Sequence, residues 1–167
     1  MIKPTEQLKP LDQKDRLLLR LLQANSRISS AELARQLQLS PPGLQKRLKR
    51  LEEHGFIEGY VTLVNREALG LDLLCFTQVT LTHEQPESVG QFCEQVQGLP
   101  EVLECHHLTG EFDYLLKVVV TNPQQLEQFL TEKIRKLPGV DKVRTSIVLS
   151  EVKVSTSLPL DSLEANR

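Results

Sequence analysis

Two carboxylates and a phenol, Glu111, Asp113 and Tyr114, stand beside an apolar run in the stretch TGEFDYLLKVVV (109–120). Glu111 and Asp113 are two residues apart, so along a strand they share a face. They can act as a carboxylate pair in catalysis, bind a cationic ligand group, or close a polar turn. The chain has no nucleophile elbow, phosphate loop or HExxH motif to accompany catalysis. We therefore predict no catalytic residues and favour the ligand-binding and turn roles.

The run Cys105, His106 and His107 supplies soft and borderline metal ligands. Strand alternation puts Cys105 and His107 on one face and His106 on the other, so at most two of them converge. With Cys75 and Cys93 the cysteines number three, and none are at CxxC spacing. This argues against a disulfide framework or a zinc site. We expect buried structural thiols, no metal and no cofactor.

The chain that positions these residues consists of a basic segment followed by an acidic one. Residues 1–66 carry twelve Lys and Arg against seven Asp and Glu, whereas residues 67–167 carry eight against fifteen. A basic module followed by an acidic one predicts two domains, the first of which meets a polyanion. The chain lacks an apolar run of about 18 residues, and its N-terminus lacks an apolar signal segment. We expect a cytoplasmic protein that does not enter a membrane.

Apolar residues in the first module recur with a helical period. Helices are predicted over residues 11–25, over 31–37 behind a cap at Ser29 or Ser30, and from Pro41 to a stop at Gly55. Two helices joined by a tight turn, the second of them basic, are typical of a helix-turn-helix.

The third helix is expected to bind double-stranded DNA. In such motifs the leading residues meet base edges and the basic flank meets phosphates. Arg47 lies at the edge of the apolar face and can pair with a phosphate or with an acid of the module, and the pattern leaves both open. A basic surface helix without a DNA role is the alternative for the whole face. The predicted DNA-binding residues are Ser40, Pro41, Pro42, Gly43, Gln45, Lys46, Arg47, Lys49 and Arg50.

The second module alternates strands and helices in the order βαββαβ. This order predicts a ferredoxin-like sandwich, in which two helices cover one face of a four-stranded antiparallel sheet. Phe112 and Tyr114 are expected on the helix-covered face. The other face is partly apolar, so we expect it to pack on the sheet of a second copy. The predicted strands span 73–82, part of 98–110, 112–121 and 142–154, and the helices span 86–97 and 123–137.

The predicted fold class is therefore α+β, with a helix-turn-helix domain at 1–56 and a ligand-sensing, oligomerising domain at 72–158. Alternation over 57–64 predicts a linker strand that pairs with its equivalent in a partner chain. A hinge follows, so that the linker spans 57–71, and residues 159–167 form a tail.

From Leu11 to about Leu160 the chain resembles the Lrp/AsnC family of bacterial and archaeal transcriptional regulators. Each matching stretch is weak alone, but their order and spacing together are specific. They are LDQKDRLLLRLLQANSRIS, ELARQLQLS, QKRLKRLEEHGFIEGY, LTGEFDYLLKVVV, LPGVDKVRTSIVLSEVK and TSLPL.

The resemblance implies a transcription regulator whose C-terminal domain, of the RAM or ACT-like type, senses an amino acid. Family members form dimers through their sheets and assemble further, commonly to octamers, with the effector between dimers near the loop joining strands two and three. Asp113 or Glu111 would pair with the effector's ammonium, and backbone N–H groups near Gly110 with its carboxylate. The implied ligand-binding residues are Leu108, Thr109, Gly110, Glu111, Phe112, Asp113, Thr145 and Ser146.

Two points remain open from the sequence. Residues 41–43, Pro-Pro-Gly, depart from the more varied residues of the family at the positions that contact bases. An oligomeric DNA-architectural protein that has no small-molecule effector is the alternative function.

Overall fold

The computed structural model describes residues 10–82 and 86–160. The first nine residues and the part of the predicted tail beyond residue 160 lie outside these ranges. The described chain forms two compact units, one of residues 10–63 with 154–160 and one of residues 64–153. The division at residue 63 falls inside the predicted linker. Within the described ranges, no helix is long and apolar enough to cross a membrane.

Three helices form the first unit and confirm the predicted ones to within two residues at each end. Ser29, one of the two predicted caps, accepts the Glu32 N–H and begins the second helix. The third helix ends in two backbone bonds, Phe56 N–H to the Leu51 carbonyl and Gly55 N–H to the Glu52 carbonyl. This pattern needs the left-handed conformation that Gly55 adopts, at φ +71°. The helices are α1 (Gln13–Ala24), α2 (Ser30–Leu37) and α3 (Pro41–Glu53).

The core of the first unit is built almost entirely from leucine. Leu18 of α1 and Leu44 and Leu51 of α3 are completely buried, and each such side chain contributes roughly 1.5–3 kcal/mol on transfer from water. The C-terminal segment joins this unit, because Leu160 packs on the leucine core. The Gln23 side chain also exchanges two hydrogen bonds with the Leu158 backbone, at 2.7 and 3.2 Å.

A buried carboxylate joins α1 to α3. Asp15 has no exposed surface, yet its carboxylate accepts hydrogen bonds from Arg47 Nη1, at 2.7 Å, and from Arg50 Nη2. Asp12 caps α1 and accepts a second bond from Arg47 Nη1 at 2.6 Å. Burial raises the pKa of Asp12, but the hydrogen bonds from Arg47 and Asp15 outweigh it and the pKa lies below its ordinary value. Both acids at the start of α1 are therefore ion-paired with arginines of α3.

The segment 57–64 is not a strand in the described chain. It pairs with no other described segment, and Val61, Leu63 and Val64 are 65–78% exposed. Alternation predicts a strand here, but a strand exists only where a second one pairs with it. Pairing with the equivalent segment of a partner chain stays a prediction. A 3-10 turn, Glu67–Leu69, follows at the predicted hinge.

The second unit is the predicted βαββαβ sandwich. Its strands form one antiparallel sheet in the order β2-β3-β1-β4. Alternate residues of β1, among them Cys75 and Val79, face the helices and pack with Phe92 and Phe129. The elements are β1 (Leu73–Leu81), α4 (Pro86–Gln97), β2 (Val102–His107), β3 (Tyr114–Val120), α5 (Pro123–Gln128) and β4 (Val140–Ile147).

Two predicted boundaries in this unit are wrong. The strand predicted over 142–154 ends at Ile147, because β4 pairs only with β1 and Ile147 lies opposite Cys75, near the start of that strand. The helix predicted over 123–137 changes form after Gln128, becoming a π-helical turn (Phe129–Lys133) and then a 3-10 turn (Ile134–Lys136). The wider π turn brings residues five apart into line, so Phe129 and Ile134 both reach the core.

We expect Asp15→Ala to lower the free energy of unfolding of the first unit by about 2–4 kcal/mol. Removing one member of a buried ion pair strands its partners, and Arg47 and Arg50, a quarter exposed, recover part of this cost from water. Urea unfolding with hydrogen exchange at α1 measures it. Glu53→Ala removes only an exposed pair with Lys49 and should change stability by less than about 0.5 kcal/mol. Equal effects of the two substitutions would contradict a special role for Asp15.

Candidate functional sites

One face of α3 is open to solvent and carries five of the nine predicted DNA-binding residues. Residues of α3 four and seven apart stand above one another on a helix, so Pro42, Lys46 and Lys49 form a line along this face. Pro41 and Gln45 lie together on one side of this line. Within α3, the exposed residues of the predicted set are Pro41, Pro42, Gln45, Lys46 and Lys49, and Ser40, which precedes the helix, is exposed as well.

The arginines of the predicted set are turned away from this face. Arg47 and Arg50 hold the two acids of α1, and the pKa of Arg47 is raised above its usual value, chiefly by the hydrogen bond to Asp12. Of the two partners left open by the sequence for Arg47, the described structure pairs it with acids. Sequence reasoning missed Asp15, although Asp12-x-x-Asp15 before an apolar run is a capping-box pattern.

Ser40 and Gly43 form the N-terminal cap of α3. Ser40 Oγ accepts the Gly43 N–H at 3.3 Å. A Cβ on residue 43 would stand 3.1 Å from that oxygen, so glycine lets the cap close. These two residues hold the start of the helix, with Ser40 as an exposed cap and Gly43 without a side chain.

At the end of the sheet in the second unit, charges of both signs surround a cavity of about 140 Å³. Glu111 Oε1 and Arg144 Nη1 lie 3.3 Å apart across it, and both side chains are more than three quarters exposed. A pair this exposed contributes little to stability, about 0–1 kcal/mol, so its groups are available to a ligand. The lining residues are Gln78, Thr80, Glu111, Phe112, Lys142 and Arg144.

Asp113, in contrast, is engaged in the sheet. Its carboxylate accepts the Leu81 N–H at 2.8 Å, while its own N–H donates to the Val79 carbonyl and its carbonyl accepts the Leu108 N–H. The bend before β3 is therefore fastened to both neighbouring strands. Gly110 lies in this bend at φ +141°, with nothing within 4 Å of where a Cβ would be. Backbone conformation, rather than crowding, is what calls for glycine there.

Three other predicted ligand-binding residues do not lie on the same face of the sheet. Phe112 was expected on the helix-covered face, but it lines the cavity with Gln78 on the opposite face, because the bend over 109–113 interrupts the alternation that β3 begins at Tyr114. Thr145 faces the helix side, where its hydroxyl lies 3.1 Å from that of buried Thr77. Ser146 is exposed on the other face, opposite Phe76. Leu108 and Thr109 are exposed beside the bend.

A second polar group lies on the helix side of the sheet. Tyr114 is 5% exposed, its ring stacks on His107 at 4.8 Å, and its hydroxyl accepts a hydrogen bond from the Cys93 thiol at 3.5 Å. Burial, with that bond, raises the pKa of Tyr114 to about 12. Cys105 lies on the edge strand β2 and is exposed, and Cys93 is only partly buried, so the expectation of three buried thiols holds for Cys75 alone. His106 points to the other face and contacts Glu104, as strand alternation predicts.

The cavity residues that sequence reasoning missed are those of the neighbouring strands. Gln78 and Thr80 of β1 lie opposite Arg144 and Lys142 of β4 in the sheet register. That register brings the two cations to Glu111, which is 33 residues away from Arg144 along the chain. Alternation within β4 is visible in the sequence, but the position along β1 at which it pairs is not.

The comparisons with known proteins agree with both units. A family model for a winged helix-turn-helix DNA-binding domain matches residues 11–58, and a model for the Lrp/AsnC ligand binding domain matches residues 74–158. Leucine-responsive regulatory proteins of Klebsiella pneumoniae and Escherichia coli (strain K12) are each 43% identical over 150 residues, which is 90% of this chain and 92% of theirs.

Solved structures give the same result. A transcriptional regulator from Neisseria meningitidis in complex with L-Met has a TM-score of 0.88 and 36% identity, covering 92% of this chain and 99% of that one. An AsnC family transcriptional regulator from Agrobacterium tumefaciens has a TM-score of 0.85 and 31% identity, with the same coverage. This chain therefore belongs to the Lrp/AsnC family of transcriptional regulators, with an N-terminal helix-turn-helix DNA-binding domain and a C-terminal Lrp/AsnC ligand binding domain.

Proposed function

We propose that this protein regulates transcription in the cytoplasm in response to a free amino acid, which binds at the end of the sheet around Glu111 and Arg144. The observation that carries the proposal is the pairing of opposite charges across an open cavity. A free amino acid carries one ammonium and one carboxylate, and the cavity offers one carboxylate and the cations of Arg144 and Lys142. The relative from Neisseria meningitidis, which was solved with L-Met, supports an amino acid as the ligand class.

In this arrangement Glu111 receives the ammonium and Arg144 the carboxylate. Charge-assisted hydrogen bonds are stronger than neutral ones, and the planar guanidinium can hold a carboxylate with two N–H groups. Phe112 supplies an apolar surface for the ligand's side chain. Asp113 acts on the same site indirectly, because its bond to Leu81 fixes the bend that carries Glu111.

We also propose that the protein works as a dimer that assembles further, to an octamer. On the sheet face away from the helices, Phe76 is 38% exposed beside Lys117 and Ser146. An aromatic residue on a partly apolar sheet face is typical of a surface that another copy covers. The exposed segment 57–64 adds a second edge for pairing. Dimers also suit DNA recognition, since two helix-turn-helix units then read two half-sites.

A thermal-shift screen of the twenty amino acids tests the effector role. A ligand at a hundred times its dissociation constant stabilises the native protein by about 2.7 kcal/mol, which is several degrees in the melting temperature. We expect one chemical class of amino acid to give this shift and to change the sedimentation coefficient. No shift with any amino acid at millimolar concentration, together with intact DNA binding, would instead favour a DNA-architectural protein.

Charge-removing variants locate the effector site. We expect Glu111→Gln and Arg144→Gln each to reduce affinity for the amino acid at least tenfold, because each leaves one end of the zwitterion without its counter-charge. The matched controls are Glu127→Gln and Lys136→Gln, exposed residues outside the cavity, which should keep wild-type affinity. Isothermal titration provides the dissociation constants. Wild-type affinity in both cavity variants would move the site elsewhere.

For DNA, we expect Lys46→Ala and Lys49→Ala to weaken binding to all sequences alike. Each lysine that meets a phosphate releases a counterion, so the slope of log affinity against log salt should fall by about 0.9 for each lysine removed from the bound assembly. Fluorescence anisotropy at several salt concentrations measures the slope. Lys136→Gln, on the other unit, is the control. An unchanged slope in both α3 variants would remove this helix from the DNA interface.

A further inference from the structure

The exposed face of α3 begins with two prolines whose surface is apolar and lacks hydrogen-bond donors. Pro41 and Pro42 occupy the first two helical positions and have no N–H. The next two N–H groups are already used, since that of Gly43 donates to Ser40 Oγ and that of Leu44 to the Ser40 carbonyl at 2.9 Å. Residues 41–44 therefore have no backbone donor left for a DNA phosphate. Both proline rings are exposed, so what this part of the helix offers to DNA is hydrocarbon.

The major groove presents few apolar groups. Its floor is made of hydrogen-bond donors and acceptors, and the C5-methyl group of thymine is the apolar feature that side chains contact there. A hydrocarbon surface placed on a guanine, adenine or cytosine edge leaves polar groups without partners, which costs free energy. Placed on thymine, it buries a methyl group. The leading end of a recognition helix is also the part that meets base edges.

Of the two rings, that of Pro42 is in line with the DNA-facing side chains. Lys46 and Lys49 follow it at four and seven residues, which is the spacing of one helix face. Pro41 is rotated by about 100° around the axis, towards the side of buried Leu44.

From these observations we infer that Pro42 is a specificity-determining residue, and that it selects a thymine in each half-site by contact of its ring with the C5-methyl group. Gln45, one turn further on, is the side chain on this face that can form paired hydrogen bonds with a base. Lys46 and Lys49 supply charge to the phosphates. Arg47 and Arg50, which could otherwise read guanine, are held by Asp12 and Asp15. The inference rests on the DNA-binding role of the family and is independent of the effector.

Base analogues test it on the full-length protein. Selection from a random duplex pool would first provide a preferred site, in which we expect a fixed thymine in each half. Replacing that thymine by uracil removes the methyl group and leaves every hydrogen-bonding group in place. We expect this to weaken wild-type binding about three- to fivefold per half-site, which corresponds to one buried methyl group. We expect Pro42→Ala to bind the thymine and uracil duplexes equally.

Two variants on the same helix serve as controls. Pro41→Ala makes the same chemical change one position away and should keep the wild-type preference for thymine over uracil. Lys46→Ala should weaken binding to both duplexes equally. Melting temperature and affinity for random-sequence DNA report whether Pro42→Ala folds and still binds DNA.

Three results would overturn the inference. They are a selected site with no fixed thymine, equal wild-type affinity for the thymine and uracil duplexes, and a preference for thymine that persists in Pro42→Ala. Loss of the preference in Pro41→Ala instead would reject the assignment to Pro42. Failure of the wild-type protein to bind any duplex would contradict the DNA-binding role itself, which is a different outcome.

Discussion

The carboxylate of Asp15 joins α1 to the inward side of α3. It lies in the core of the first unit with no exposed surface and is held by Arg47 and Arg50, both from α3. A buried charge without partners is costly, so this ion cluster keeps both guanidinium groups against α1. The completely buried Leu44 and Leu51 of α3 point inward as well. Pro42 and Lys46 therefore remain on the open face.

The same cluster determines what kind of DNA contact the helix can make. Arginine is the side chain that most often reads guanine, through two hydrogen bonds to one base. Here the arginines of α3 are used inside the domain, and lysines remain outside. Lysine acts as a compact point charge, well suited to phosphates and less so to a base edge. Affinity should therefore depend strongly on salt, and sequence selection should depend on a few apolar and amide contacts at the leading end.

Apolar periodicity and capping residues are local signals, and they were sufficient for the three helices of the first unit and for the order of strands and helices along the second. The family was predicted from the resemblance of whole stretches of sequence. Sequence reasoning failed to predict contacts between residues that are far apart along the chain. Asp15 and Arg47 are 32 residues apart, and helical periodicity alone leaves an acid and a phosphate equally suitable for Arg47. Phe112 was placed on the wrong face because the bend before β3 breaks the alternation. The end of β4 is set by where β1 begins, and the cations at the cavity are set by the register between those two strands.

At the end of the sheet, the two acids of the stretch 109–120 have different roles. Asp113 holds the backbone of the sheet, and Glu111 is exposed to a ligand. The Asp113 carboxylate accepts the Leu81 N–H of β1. A ligand that paired with this carboxylate instead would leave that N–H without a hydrogen-bond partner. Glu111 pairs with an exposed arginine, across 3.3 Å. Opening that pair costs little, and a zwitterion restores a counter-charge to each half of it. In the proposed function an amino acid enters between Glu111 and Arg144, which leaves the sheet intact, whereas the same exchange at Asp113 would disrupt the bend that positions Glu111.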